Sequence, residues 1–138
     1  MFNINEQVMK FLIATTIALL TLASCKHSHP GMEDNPLYTE VMAVHDSIMP
    51  KMSDIHDLKK ELKVYTESEA RDQVMAAMGD LDKADEAMME WMADFKMPED
   101  KTQLETYLND QKTKINQVAA QMYSAIQQAT MLRDSLGQ

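Results

Sequence analysis

Cysteine occurs once in the 138 residues, at Cys25. No internal disulfide can form, so stability has to come from packing alone. Glycine and proline number only 3 and 4 and aromatics make up 6% of the chain, while Ala, Met, Leu, Gln, Glu, Lys and Asp dominate. That composition leans to helix. Basic residues are also in deficit, 13 Lys and Arg against 22 Asp and Glu for a net charge of −9. The balance repels phosphate backbones, and no basic patch interleaved with aromatics occurs, which argues against a nucleic-acid partner. Enzyme signatures are missing too. There is no serine or cysteine nucleophile in a motif context, no HExxH, and no glycine-rich phosphate loop, so the chain reads as non-enzymatic.

Long apolar runs are equally absent. The longest, Phe11 to Leu22 (FLIATTIALLTL), falls short of the ~18–20 residues a membrane-spanning helix needs and ends in small residues, as a signal-peptide apolar region does. The junction Leu22-Ala23-Ser24-Cys25 resembles the bacterial lipobox. It implies cleavage before Cys25 and acylation of its sulfur. Residues 1–24 are thus expected to be a cleaved lipoprotein signal peptide. Met1 to Val8 carries Glu6 and no basic residue, whereas reading from Met9 places Lys10 beside the apolar run. Met9 is therefore the expected start. Two or three acyl chains would hold the protein firmly where one would be marginal, and the expected location is the bacterial cell envelope, at the outer membrane.

Residues 25–35 follow as the lipidated cysteine and a flexible tether: Lys26 to Asn35 (KHSHPGMEDN) has proline, glycine and polar residues without periodicity. Ten residues reach ~35 Å when extended. His27 and His29 within it could chelate a divalent ion loosely, though short flexible histidine pairs rarely do more.

The remaining residues, 36–138, show three helical periodicities. Asn35-Pro36 offers an N-cap followed by proline at the first helical position. Leu37, Val41, Val44, Ile48, Ile55, Leu58 and Leu62 then recur at helical spacing, predicting a first helix to about Val64. Pro50 interrupts it and should cost ~3 kcal/mol by deleting the hydrogen bond to the Asp46 carbonyl. It lies opposite the apolar stripe, so a kink convex to solvent is expected. Thr66 with Glu69 fits a capping box, and Val74, Met78, Leu81, Met88, Met92 and Phe95 mark a second helix to about Lys96. Met97 to Asp100 is the turn. From about Lys101 to Leu136, apolar residues from Leu104 to Leu136 keep spacings of three and four, broken only by Gln111 on the seam. The expected fold is all-α, an antiparallel three-helix bundle with coiled-coil-like packing.

His45, Met49, Met52 and His56 carry the sharpest chemical possibility. Spaced four, three and four, they share a roughly 60° arc of one helix face. Fourteen methionines are present, and Met-x-x-Met recurs at 49/52, 75/78 and 89/92. Thioether and imidazole ligands suit Cu(I), a soft metal. Methionine is also an adaptable core filler, and both readings stand. His45 and His56 lie roughly 16 Å apart along an axis, so one ion cannot take both. Asp80, Asp82, Asp85, Glu86, Glu90 and Asp94 lack the glycine-centred loop of a calcium site and read as a solvated face. Trp91 sits at the border of the apolar stripe, as a core edge or a partner contact.

Three segments, Val44-His45-Asp46-Ser47-Ile48-Met49-Pro50-Lys51-Met52, Met88 to Phe95 (MMEWMADF) and Tyr107 to Lys112 (YLNDQK), together resemble a family of small helical lipoproteins from Bacteroidota. Its members are often labelled viral A-type inclusion proteins. The resemblance implies an envelope location and a helical fold, with no established activity or site to carry over. The functional expectation is a membrane-anchored lipoprotein with a structural or protein-interaction role, self-association included.

Overall fold

The computed structural model describes Met32 and residues 34–137. The leader, Cys25, the lipobox residues Leu22, Ala23 and Ser24, and the tether histidines lie outside the described residues. Within them the structure is helical, with α1 Pro36–Ile48, α2 Lys51–Leu62, α3 Arg71–Asp94 and α4 Leu104–Leu136. No strand occurs among the described residues, and none of their helices is long and apolar enough to cross a membrane.

Asn35 starts α1 as its sequence suggests. Its Oδ1 accepts from the Leu37 and Tyr38 backbone N–H groups at 3.0 and 3.2 Å, satisfying two donors that have no partner in the first turn. Pro50 divides what the periodicity reads as one helix. Met49 and Pro50 keep right-handed helical angles, but the bonds around them tighten to Met52 N–H to Met49 carbonyl and Ser53 N–H to Pro50 carbonyl, each 3.2 Å. A three-residue hydrogen-bond spacing replaces the four-residue one where proline has no N–H to give. Pro50 is exposed, so the break falls on the solvent side and the apolar stripe continues past it.

The expected capping box does not form. A 3-10 turn, Lys63–Tyr65, follows α2, and the Thr66 hydroxyl donates back to the Lys63 carbonyl at 2.9 Å. Ser68 serves the turn instead, donating to the Tyr65 carbonyl at 2.7 Å and accepting from the Ala70 N–H at 3.2 Å. With Thr66 spent on closing α2, α3 begins only at Arg71. Ahead of α4, Asp100 Oδ1 accepts from the Thr102 N–H and hydroxyl at 2.9 and 2.8 Å. These bonds hold the Asp100 carboxyl below its ordinary value.

Contacts between segments give the direction of each. Tyr38 meets Phe95, His45 meets Trp91, and Lys59 pairs with Asp82, so α3 runs opposite to α1 and α2. Glu40 pairs with Lys112 and Glu61 with Arg133, so α4 runs alongside them. The core is one cluster in which Val41, Ile48, Leu62, Val74, Leu81, Met88, Ile115 and Met122 are fully buried. Burying each such side chain stabilises the fold by about 1.5–3 kcal/mol before entropy is counted. Tyr38, Ala84 and Ala119 join this interior, although none is among the residues that mark the apolar stripes in the sequence. Ala84 follows Leu81 and precedes Met88 at spacings of three and four, and a methyl side chain fits where α3 lies close to its neighbours.

Candidate functional site: the methionine and histidine stripe and the Trp91 groove

The four stripe residues divide at Pro50. His45, in the last turn of α1, is half-buried; its Nδ1 lies 2.9 Å from Asp46 Oδ1, and its ring is 5.7 Å from the indole of Trp91. Met49 and Met52, flanking Pro50, are half-buried and pack against the core. His56 is exposed on α2. Three members of the stripe therefore turn toward the bundle and the fourth toward solvent. Among the described residues no three His, Cys, Asp or Glu side chains gather as a metal-binding group, so a cation at the stripe would have to draw on thioethers.

The methionines fall into distinct environments. Met88 and Met122 are completely enclosed, whereas Met75, Met89 and Met131 are 51%, 52% and 63% exposed. Each of the Met-x-x-Met pairs 75/78 and 89/92 has one exposed and one half-buried member, as expected for positions straddling the edge of a buried stripe.

Trp91 is a core residue, 6% exposed. It opens a run of aromatic contacts at the end of the bundle where α1 begins: Trp91 to Phe95 at 4.8 Å, Phe95 to Tyr107 at 6.0 Å and Phe95 to Tyr38 at 6.4 Å. Tilted rings at these separations attract beyond their buried area. Phe95 belongs to the non-helical end of α3, so these contacts hold the turn to α4 against α1.

Beside Trp91, between α3 and α4, runs a groove of about 620 Å³, with Glu90, Trp91 and Asp94 on one wall and Tyr107, Asp110 and Lys114 on the other. Gln111, the polar residue on the α4 seam, also lines it and is only 4% exposed. Lys114 pairs with Asp110 at 2.8 Å, and that bond raises its pKa. Burial pushes the Tyr107 hydroxyl upward, since the phenolate would be poorly solvated there. Two buried side-chain donors among the described residues have no acceptor for their proton, Trp91 Nε1 and the Tyr107 hydroxyl; the Lys96 backbone N–H is directed at the Tyr107 oxygen and partly opposes the effect of burial. Both donors belong to residues of this groove. Sequence reasoning marked Trp91 and Gln111 singly; nothing in their spacing shows that Tyr107 joins them.

A second groove, at the opposite end of the bundle, is about 670 Å³ and includes Val64, Tyr65 and Arg133. Arg133 there is matched to Glu61 at 2.8 Å and Asp134 at 2.7 Å. No family model, curated protein or solved structure matches this chain.

Proposed function

We propose that this chain is a lipid-anchored envelope lipoprotein whose helical domain acts through protein contacts and performs no chemistry of its own. The observation that carries the reading is the junction Leu22-Ala23-Ser24-Cys25 behind a twelve-residue apolar run. The two grooves are compatible with it: one has its charges internally matched, and neither sets a nucleophile beside a base as covalent or acid–base catalysis would need. The bundle would be antiparallel with coiled-coil-like seams and would stand on the tether of residues 25–35. Expression of the full chain in a bacterial host with labelled palmitate tests the anchor. The wild-type chain should take up label and follow the membrane fraction, and Cys25→Ser should do neither. Label on the Cys25→Ser chain, or a wild-type chain without label, would refute the reading.

A second reading, Cu(I) binding at the stripe, has one observation in its favour. The His45 Nδ1 contact with the Asp46 carboxylate is the arrangement that commonly orients a metal-binding imidazole and leaves its other nitrogen to the ion. Met49 and Met52 would supply thioethers, and His56 could share only a separate ion. Titration with Cu(I) against a competing chelator decides it, because a Met49→Leu, Met52→Leu double variant with unchanged affinity removes this site.

A further inference from the structure

The Trp91 groove brings together features that are each costly alone. Buried polar side chains are almost always hydrogen-bonded, yet the two buried donors among the described residues whose protons find no acceptor, Trp91 Nε1 and the Tyr107 hydroxyl, belong to side chains lining this one groove. Trp91 is more than nine-tenths buried. Both groups are proton donors, and the indole N–H can do nothing else.

On the rim, Glu90 and Asp94 are four residues apart on α3, so they share a face. Both are exposed, and neither has an ion pair among the described residues. Across the groove Asp110 is already matched by Lys114. The surplus charge is thus negative and the unmet hydrogen-bonding capacity is donor. An anion would satisfy the donors but would face the carboxylates of Glu90 and Asp94, with the one cation of the groove, Lys114, already bonded to Asp110 and drawn on by Asp94 as well. A simple cation would satisfy the carboxylates and leave the donors bare. A ligand that meets both demands carries a positive charge and, a few atoms away, a hydrogen-bond acceptor.

We propose that the α3–α4 groove binds a basic residue of a partner polypeptide, its ammonium or guanidinium group held by Glu90 and Asp94 and its backbone carbonyl accepting from Tyr107 and Trp91. The groove volume of about 620 Å³ lies in the range of sites that take ligands of this size. Both donor atoms are shut off from water, so binding requires side chains of the groove wall to move aside. The proposal rests on the reading of the bundle as an interaction domain and names the chemistry it recognises.

Trp91 is the sole tryptophan, so its fluorescence reports directly on the groove. The full-length Cys25→Ser chain in non-ionic detergent is titrated with Nα-acetyl-lysinamide. Nα-acetyl-norleucinamide, which lacks the charge, and butylamine, which lacks the acceptor, serve as controls. The expected result is a saturable change with the lysine probe and binding at least about tenfold weaker for either control. Glu90→Gln with Asp94→Asn should weaken the lysine probe by a similar factor. Tyr107→Phe should weaken it about threefold to tenfold while leaving the thermal midpoint within a few degrees, because the hydroxyl proton it removes has no acceptor in the free chain. Affinity falling without a matching fall in stability separates a binding role from a packing one. The proposal is overturned if the lysine probe does not saturate, if butylamine binds as well, or if the rim double variant binds unchanged. Because this chain lacks the acylated cysteine, failure here leaves the palmitate result intact, and failure of acylation leaves this one intact.

Discussion

Met88 and Met89 are neighbours in sequence with opposite surroundings, which makes them a sharp test of whether methionine is here for volume or for sulfur. Met88 is completely enclosed in the cluster that holds Leu81, Ala84, Ile115 and Met122, and Met89 is 52% exposed. Truncating a buried methionine to alanine costs about 2–5 kcal/mol, the spread reflecting how far the site collapses. Helices on both sides of Met88 restrict collapse, which places Met88→Ala near 3 kcal/mol. For a domain of about this size each kcal/mol moves the thermal midpoint by about 4–8 °C, so a fall of roughly 12–24 °C is expected. Met89→Ala should change stability by less than about 0.5 kcal/mol, since it removes a side chain from the surface and substitutes the best helix former. Urea denaturation followed by circular dichroism at 222 nm measures both. With slopes of about 1–3 kcal/mol/M, the Met88→Ala midpoint should drop by at least about 1 M. Met88→Leu is the control: it keeps the volume, loses the thioether and should cost under about 1.5 kcal/mol. A Met88→Leu chain as unstable as Met88→Ala, or equal losses for Met88→Ala and Met89→Ala, would refute the packing account.

Pro50→Ala should raise the thermal midpoint, because alanine restores a donor for the Asp46 carbonyl at a site whose angles are already helical. Part of the ~3 kcal/mol proline penalty is offset by the ~0.4–1 kcal/mol that proline contributes by restricting the unfolded chain, and a lowered midpoint would contradict this. Asp100→Ala should lower the midpoint by a few degrees at neutral pH. The Asp100 carboxyl lies below its ordinary value of 3.8 in the folded chain through its bonds from Thr102. Its contribution is therefore complete above the unfolded value and is lost as pH falls through the folded one. Melting curves of the two chains should converge as the pH falls from the ordinary 3.8 through the lower folded value, and a gap that persists undiminished there would show that the cap's charge does not contribute.

The apolar rhythm of α4 is legible because its core positions from Leu108 to Ala129 obey one period, interrupted only by the buried Gln111. The break at Pro50 is legible for a similar reason: a missing N–H has local consequences. The start of α3 is not, since Thr66 and Glu69 satisfy a capping pattern while Thr66 is engaged by the Lys63 carbonyl behind it. Side-chain hydroxyls that can close one helix or open the next are decided by where the chain turns, and Tyr65 and Ser68 set that here. Burial of Tyr38 and Trp91 also escapes periodicity, because each is fixed by Phe95, a residue beyond the end of its helix. The stripe of His45, Met49, Met52 and His56 is visible as spacing, but which members face inward depends on how α2 resumes after Pro50. The groove could not be read at all. A sequence names donors and acceptors without saying which of them find each other, and an unpartnered atom is a property of the assembled fold alone.

Direction then constrains what the groove could meet. Trp91 packs against His45, ten residues beyond Asn35, so the indole in the groove lies roughly 15 Å along the bundle from the end where the chain enters. If Cys25 is anchored, the intervening ten residues extend at most ~35 Å. Basic residues within about 50 Å of the membrane surface would then be in reach, and those of a partner far across the envelope would not. The remaining acidic side chains of α3 point the same way: with a net charge of −9, encounter with a basic surface would be steered and would weaken as salt rises. Selectivity cannot come from that steering, which any cation shares. It would have to come from the two donors beneath the rim, because only a ligand that brings an acceptor as well as a charge removes the cost of leaving them bare.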